Sequence, residues 1–359
     1  MEGLEEREPS TPLELGFRMP AEWHPHDATW LTWPKNEITW PGVLLDGAEE
    51  AYLQAIAALV PGERVNLLVD DETAQSRVEQ LMKDRHIPLS RVSFYLIPTV
   101  DSWIRDYGPN FLLRETGDSL ELAFNHWGFN AWGNKYEDLK EDSRIPALLE
   151  YLLGVRRFTP PMVLEGGSID VNGEGLCLTT EQCLLHPNRN PDLSRSEIES
   201  ALHAYLGTPE IVWLGDGIAG DDTDGHIDDI ARFVGPRTVV CAVEKDPDSI
   251  NFRPLQDNLR RLELYRTKDG QPLRVVQLVM PEPAFADGEQ LPASYANFYI
   301  ANKVVLVPTF GQERDREAIE TLQPFFPSRR VIGIDCRALV HGMGTLHCLT
   351  QQQPSVNKS

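Results

Sequence analysis

Four reactive residues stand in glycine-containing motifs of this chain. They are Asp106 in Trp103-Ile-Arg-Asp-Tyr-Gly-Pro109, Glu165 in Leu164-Glu-Gly-Gly-Ser168, His226 in Asp224-Gly-His-Ile-Asp228, and Cys348 in His341-Gly-Met-Gly-Thr-Leu-His-Cys348. A thiol, an imidazole and several carboxylates supply a nucleophile, a proton carrier and the negative charge that grips a cation. Residues 216–229 hold six Asp and one His with no Lys or Arg. They run directly into the apolar stretch 230–234, so His226 and Asp228 read as the start of a strand, where i and i+2 share a face. An acidic thiol site lacks the donors that an acyl-transfer oxyanion requires. It suits a planar cation with several N–H groups, a guanidinium, which carboxylates hold bidentately. Cys177, Cys183, Cys241 and Cys336 lie in apolar runs and read as small hydrophobes. His347 is a poor base for Cys348, because adjacent residues of a strand face opposite ways.

Three local patterns lack the context their chemistry needs. Gly215-Asp-Gly-Ile-Ala-Gly220 matches a dinucleotide fingerprint, but the acids that follow would repel a phosphate and do not open a helix. The same acids fail as a calcium loop, since fixing the register on Gly225 puts Gly220 first and Ala231 twelfth. No HExxH and no paired Cys/His spacing is present, so no metal and no cofactor are expected.

The elements that position the reactive residues are short. Apolar runs predict strands at 28–33, 64–69, 92–97, 120–127, 162–171, 176–179, 211–214, 230–234, 238–243, 274–280, 298–309 and 330–336. Helical periodicity covers 47–60, 73–85, 145–153, 194–206, 255–265 and 314–325. Two or three strands per helix argue against a dinucleotide-binding sheet or an eightfold barrel. The gaps between the four reactive residues, 59, 61 and 122, suggest equivalent places in successive strand-strand-helix-strand repeats of about 60–70 residues.

The 359 residues are 41% hydrophobic and 25% charged, as expected of a globular chain. Fifty-five acids against 33 bases leave −22, which excludes a generally basic surface for nucleic acid or anionic membrane and favours a cationic small partner. Five cysteines without a CxxC pair read as reduced thiols. With no basic, apolar leader at the start, a cytoplasmic location is expected. A single α/β domain over 13–354 is expected, with flexible ends at 1–12 and 355–359.

Met19-Pro-Ala-Glu-Trp, Trp103-Ile-Arg-Asp-Tyr-Gly-Pro, Trp127-Gly-Phe-Asn-Ala-Trp-Gly, Leu164-Glu-Gly-Gly-Ser, Asp224-Gly-His-Ile-Asp, Asn297-Phe-Tyr-Ile-Ala-Asn and His347-Cys-Leu-Thr-Gln-Gln-Gln-Pro occur in that order. Over about residues 17–354 they resemble the agmatine deiminase family, within the bacterial-type peptidylarginine deiminase group of guanidino-modifying enzymes. The resemblance implies a five-bladed α/β propeller and a metal-independent hydrolysis of agmatine to N-carbamoylputrescine and ammonia, a step toward putrescine. By motif it implies Cys348 as nucleophile, His226 as general acid/base, Asp106 and Asp228 as holders of the guanidinium, and Glu165 as the partner of His226. It also implies Asp222 near the distal amine and Trp103 along the alkyl chain. Two segments depart from the family pattern, Gly342-Met-Gly-Thr345 and the Asn-Lys-Tyr-Glu after Gly133. Deimination of arginine in peptides is the rival activity. A polyamine-binding protein is a third reading, which the intact thiol and imidazole disfavour. Oligomeric state is left open.

Overall fold

The computed structural model describes residues 10–357. Its main sheets repeat one pattern. Two antiparallel strands form a hairpin, and a helix then leads to a third strand parallel to the second. This pattern joins Asn110–Thr116, Ser119–Asn125 and Arg156–Phe158 through the helix Ile145–Leu153. It joins Asp170–Val171, Leu176–Thr180 and Glu210–Leu214 through Arg195–Leu206. It recurs in Ala231–Gly235, Thr238–Val243 and Arg274–Val279 with Phe252–Leu264, and in Tyr299–Ile300, Val304–Thr309 and Arg330–Asp335 with Arg314–Leu322. The remaining large sheet is assembled from both ends of the chain. Gln351–Pro354 pairs antiparallel with His26–Thr32, which runs parallel to Arg64–Val69 after the helix Val43–Leu59. Val92–Leu96 extends that sheet after the helix Glu72–Asp84.

Local chemistry explains these elements. Leu176–Thr180 is buried along its whole length and Thr238–Val243 along all but its first residue, as expected of strands covered on both faces. Phe252–Leu264 buries Leu255, Asn258, Leu259 and Leu262, one stripe at helical spacing. Ser194 and Glu197 form a reciprocal capping box at the start of Arg195–Leu206, and Gly207 ends that helix in the left-handed region at φ 75°. Among the described residues no helix is long and apolar enough to cross a membrane.

Several expected elements differ from those observed. The run 162–171 contributes only Asp170–Val171, because Gly166–Ser168 turns as a 3₁₀ helix. The run 298–309 breaks into two strands at the turn that reverses the chain. Asn110–Thr116 and Gln351–Pro354 were not expected as strands. His226 and Asp228 do not begin a strand either. Ile227–Asp229 is a 3₁₀ turn capped by His226, and the strand starts at Ala231. His347 and Cys348 likewise lie in a turn before Gln351. Most of the expected flexible ends fall outside the described residues. Within them, Ser355 is buried and its amide donates to Pro25 O at 2.6 Å.

The repeat suggested by the 59- and 61-residue gaps has a structural counterpart. Asp106 sits in the short helix Ile104–Tyr107 just before one hairpin, and Glu165 precedes the turn before the next. His226 takes the same place before its own hairpin, and Cys348 before Gln351–Pro354, whose antiparallel partner is His26–Thr32 from the other end of the chain. The doubled gap of 122 spans a sheet whose corresponding segment carries Asn297, just before Tyr299–Ile300.

Candidate active site

Cys348 lies at a cavity of about 220 Å³ whose walls include Trp103, Asp106, Trp132, Tyr136, Asp222 and Gly344. Asp101 and Asp138 also line it, and no Lys or Arg does among the described residues. Glycines allow the close approach. A Cβ on Gly344 would meet the Trp103 ring at 2.6 Å and the Cys348 Cβ at 3.1 Å. A Cβ on Gly167 would meet His226 Nδ1 at 2.6 Å, Asp106 Oδ1 at 2.9 Å and Asp228 Oδ2 at 3.0 Å. Asp106, His226 and Asp228 therefore converge on one glycine, from sheets that are separate in sequence.

Each side chain is fixed by its neighbours. Asp106 Oδ1 accepts from Gly167 N at 2.8 Å and Oδ2 from Trp132 Nε1 at 2.9 Å. Ala131, Trp132 and Asn134 all have positive φ, and this left-handed run turns the Trp132 indole to that carboxylate. Arg189 ties two loops together. Its Nε donates to Glu165 Oε1 at 2.6 Å, while Nη1 and Nη2 reach Asp224 Oδ2 at 2.7 Å and Thr223 O at 2.8 Å. The acidic loop is built rather than merely solvated. Asp221 accepts from the amides of Thr223, Gly225 and His226, and Asn258 holds Gly215 N and Asp216 O. The Cys348 thiol lies 3.7 Å from Asp228 Oδ2, and Asn297 Nδ2 donates to Sγ at 3.2 Å.

Four buried polar atoms in this group have no protein partner: Glu165 Oε2, both ring nitrogens of His226, and Asp228 Oδ1. His226 Nδ1 stands 3.8 Å from Asp106 Oδ1, and Nε2 stands 3.9 Å from Glu165 Oε2. These separations exceed a hydrogen bond, so the attraction acts through space. Buried polar groups are otherwise almost always paired. Two unpaired acceptors and an unpaired imidazole, one of the acceptors on the carboxylate next to the Cys348 thiol, are therefore a set of contacts suited to a guest rich in N–H groups.

The electrostatics follow from burial and crowding. Burial pushes the Cys348 thiol well above its ordinary value, and Asp228, Asp229 and Asp106 push it further, against the pull of Asn297. Burial raises Asp106 to about 6, with His226 opposing and Asp228 and Glu165 adding to the rise. For His226 burial disfavours the cation, but Asp106, Cys183 and Glu165 outweigh it and hold the ring well above the usual imidazole range. Burial also opposes ionisation of Glu165, yet His226 and Arg189 keep it below the usual range. These shifts favour a protonated thiol and a charged imidazole while no cation is bound. A cation beside the carboxylates reverses the field that holds the thiol proton.

The remaining sequence candidates are placed as follows. Asp222 lines the cavity, with its Oδ2 accepting from Tyr136 OH at 2.6 Å and its carbonyl taking the Lys135 ammonium. Tyr136 and the segment Gly342–Gly344 also line it, so both departures from the family pattern border this cavity. Trp103 packs its ring 5.4 Å from that of Trp40. No metal-type spacing exists in the sequence, but the fold gathers ligand atoms of Glu165, Cys183 and His226 within 4.8 Å of one another. The Arg189 guanidinium on Glu165 disfavours a second cation there. Sequence reasoning assigned no part to Asn297, Arg189, Trp132 or Cys183. Asn297 and Trp132 lie in motifs quoted above, whereas Arg189 and Cys183 carry no local signal.

A family model described as Porphyromonas-type peptidyl-arginine deiminase matches residues 18–354. A Pseudomonas aeruginosa protein named agmatine deiminase is 37% identical over 375 residues, covering 98% of this chain and 99% of its own. Among solved structures, an agmatine deiminase of Enterococcus faecalis superposes with a TM-score of 0.88 at 34% identity, over 96% of this chain and 98% of its own. A Campylobacter jejuni agmatine deiminase with substrate bound superposes with a TM-score of 0.83 at 28% identity, over 95% and 97%.

Proposed function

Because this chain belongs to the Porphyromonas-type peptidyl-arginine deiminase family, we propose that it hydrolyses agmatine to N-carbamoylputrescine and ammonia. One observation carries this reading. A buried thiol lies 3.7 Å from the carboxylate of Asp228, whose Oδ1 is unpartnered, at a cavity walled by Asp101, Asp106, Asp138 and Asp222 and, among the described residues, by no Lys or Arg. A dication with a guanidinium at one end and an ammonium at the other suits such walls, whereas the α-carboxylate of free arginine would be repelled.

The chemistry proceeds from the charge states above. The guanidinium docks against Asp106 and Asp228, its positive charge favours the thiolate, and the thiol proton leaves to solvent. Cys348 Sγ attacks the guanidinium carbon and forms an S–C bond. The His226 imidazolium gives its proton to the departing nitrogen, the C–N bond breaks, and ammonia leaves. The amidino-thioether is then attacked by a water whose proton passes to the neutral His226. Collapse breaks the S–C bond, the hydroxyl proton of the adduct returns to the departing thiolate, and the urea product remains. Glu165, held by Arg189, keeps His226 oriented and charged. Asp222 faces the distal ammonium, and Trp103 flanks the alkyl chain.

Four three-stranded sheets of one pattern, with a four-stranded sheet assembled from both ends of the chain, support a five-bladed α/β propeller with its site at the axis, formed by a single catalytic domain over 13–354. Five free cysteines accord with a cytoplasmic enzyme. Ammonia release from agmatine, free arginine and a blocked arginine peptide, measured side by side, tests the assignment. Agmatine is expected to be the fastest substrate. A faster blocked peptide would make peptidyl-arginine the substrate instead.

A further inference from the structure

Glu22, from the motif Met19-Pro-Ala-Glu-Trp, has no part in the chemistry above, yet it is one of the most heavily engaged carboxylates in the molecule. It is buried, and its partners come from distant parts of the chain. Oε1 accepts from Ile300 N at 2.8 Å and pairs with Arg232 Nη2 at 2.9 Å. Oε2 meets His347 Nε2 at 2.8 Å and Arg105 Nη2 at 3.4 Å. The other nitrogen of the same ring, His347 Nδ1, lies 2.7 Å from Asp228 Oδ2. The ring thus lies between two carboxylates, with one nitrogen at hydrogen-bond distance from each, and an ionised carboxylate can only accept a hydrogen bond.

Two consequences follow for Asp228. Its Oδ2 is engaged by His347, and its Oδ1, buried and without a protein partner, is left to face a guest. Asp228 also stays ionised despite complete burial. Burial opposes the charge, but hydrogen bonding and attraction from His347 outweigh it and hold the carboxyl below its ordinary range. Glu22 behaves alike, with Arg232 and His347 outweighing burial. Asp170 closes the group by accepting from Arg232 Nε at 3.2 Å. Three carboxylic groups, Glu22, Asp170 and Asp228, are thus packed against the guanidinium groups of Arg105 and Arg232 and the ring of His347. An isolated carboxylate at this depth would neutralise instead.

We infer that Glu22 and His347 are positioning residues. Glu22 clamps the His347 ring, which in turn engages Asp228 Oδ2 and leaves Oδ1 turned toward a planar amidinium or guanidinium. That the natural guest is a guanidinium rests on the function proposed above. With both ring nitrogens engaged, His347 has no free nitrogen with which to serve as the base of Cys348.

The test compares alkylation of Cys348 by 2-chloroacetamidine, a planar cation, and by 2-chloroacetamide, its neutral near-isostere. Each forms an S–C bond and releases chloride, so the ratio of their rates reads the grip on the cation while cancelling changes in thiol reactivity. Glu22→Gln is expected to lower this ratio about tenfold, the size of one charge-assisted contact. Asp228→Asn should lower it as well, and adding Glu22→Gln to Asp228→Asn should change it by less than about twofold, because the two act through one carboxylate. An unchanged ratio in Glu22→Gln, or a further tenfold loss in the Asp228→Asn background, would overturn the inference. If Glu22→Gln does not fold, His347→Gln goes through the same cycle with the same expectations. Ammonia release from agmatine by the unaltered protein is measured separately. Its absence would remove the substrate assignment and leave the alkylation test standing.

Discussion

Substitution of Asp222 by Asn tests where the second charge of agmatine is held. Asp222 lines the same cavity as Cys348, and its Oδ2 accepts from Tyr136 OH at 2.6 Å. Asn keeps the shape of the side chain and removes the charge. A hydrogen bond between charged groups contributes about 1.5–3 kcal/mol. Each 1.4 kcal/mol is a factor of ten, so kcat/KM for agmatine should fall about ten- to hundredfold. A blocked arginine peptide carries no distal ammonium, and its kcat/KM should change less than about threefold. Tyr136→Phe separates ammonium binding from loop support, because it removes the hydroxyl on Oδ2 and leaves the carboxylate in place. If Asp222 holds the ammonium, Tyr136→Phe should cost agmatine less than about threefold, since the charge persists. Steady-state ammonia release on both substrates with both variants is the assay. Equal losses on agmatine and peptide, matched by Tyr136→Phe, would refute the reasoning and make Asp222 a support of its loop.

Cys348→Ser should still bind agmatine but lose turnover, and an acid-quenched adduct should map to Cys348. Cys177→Ser and Cys336→Ser, at buried positions away from the cavity, should keep turnover, as comparative rate measurements would establish. The carboxyl of Asp106 is raised to about 6 by burial, and a protonated carboxyl cannot pair with a cation. kcat/KM for agmatine should therefore fall about tenfold per pH unit as pH drops below that value; a profile flat down to pH ~4.5 would refute this. Gly167→Ala places a methyl 2.6 Å from His226 Nδ1. kcat should drop by about a hundredfold or more while circular dichroism stays unchanged, and near-normal kcat would mean that the Glu165 loop can yield. Turnover should survive EDTA; activity lost on chelation and restored by a divalent ion would assign a working metal to Glu165, Cys183 and His226.

Local pattern alone was enough for several elements. The strands Arg64–Val69 and Thr238–Val243, buried along all but their first residue, coincide with their expected bounds because continuous apolar runs register burial, and the helix Ile145–Leu153 does so because Ile145 and Leu149 mark one buried stripe. Glycine-flanked acids, His226 and Cys348 were likewise legible, since a reactive residue type in a turn-forming motif is a local feature. The spacing of about 60 residues carried the repeat, because equivalent turns precede successive hairpins.

What the sequence could not determine is set by contacts between distant segments. Gln351–Pro354 is polar and carries no apolar strand pattern. It is a strand because His26–Thr32, from the other end of the chain, supplies its partners, and because Gln352 and Gln353 bond to Arg105 and Trp30. The residues that hold the acidic loop, Arg189 and Asn258, come from other segments and leave no mark in its own sequence. His226 and Asp228 do converge, though through a 3₁₀ turn rather than the alternation of a strand. Cys183 read as a plain hydrophobe and lies beside His226 and Glu165. Glu22 and His347 are 325 residues apart in sequence and 2.8 Å apart in the fold. The identity of the reactive groups is a property of the residues themselves. Their charge states, their partners and the atoms they present depend on burial and on neighbours that only the tertiary structure brings together.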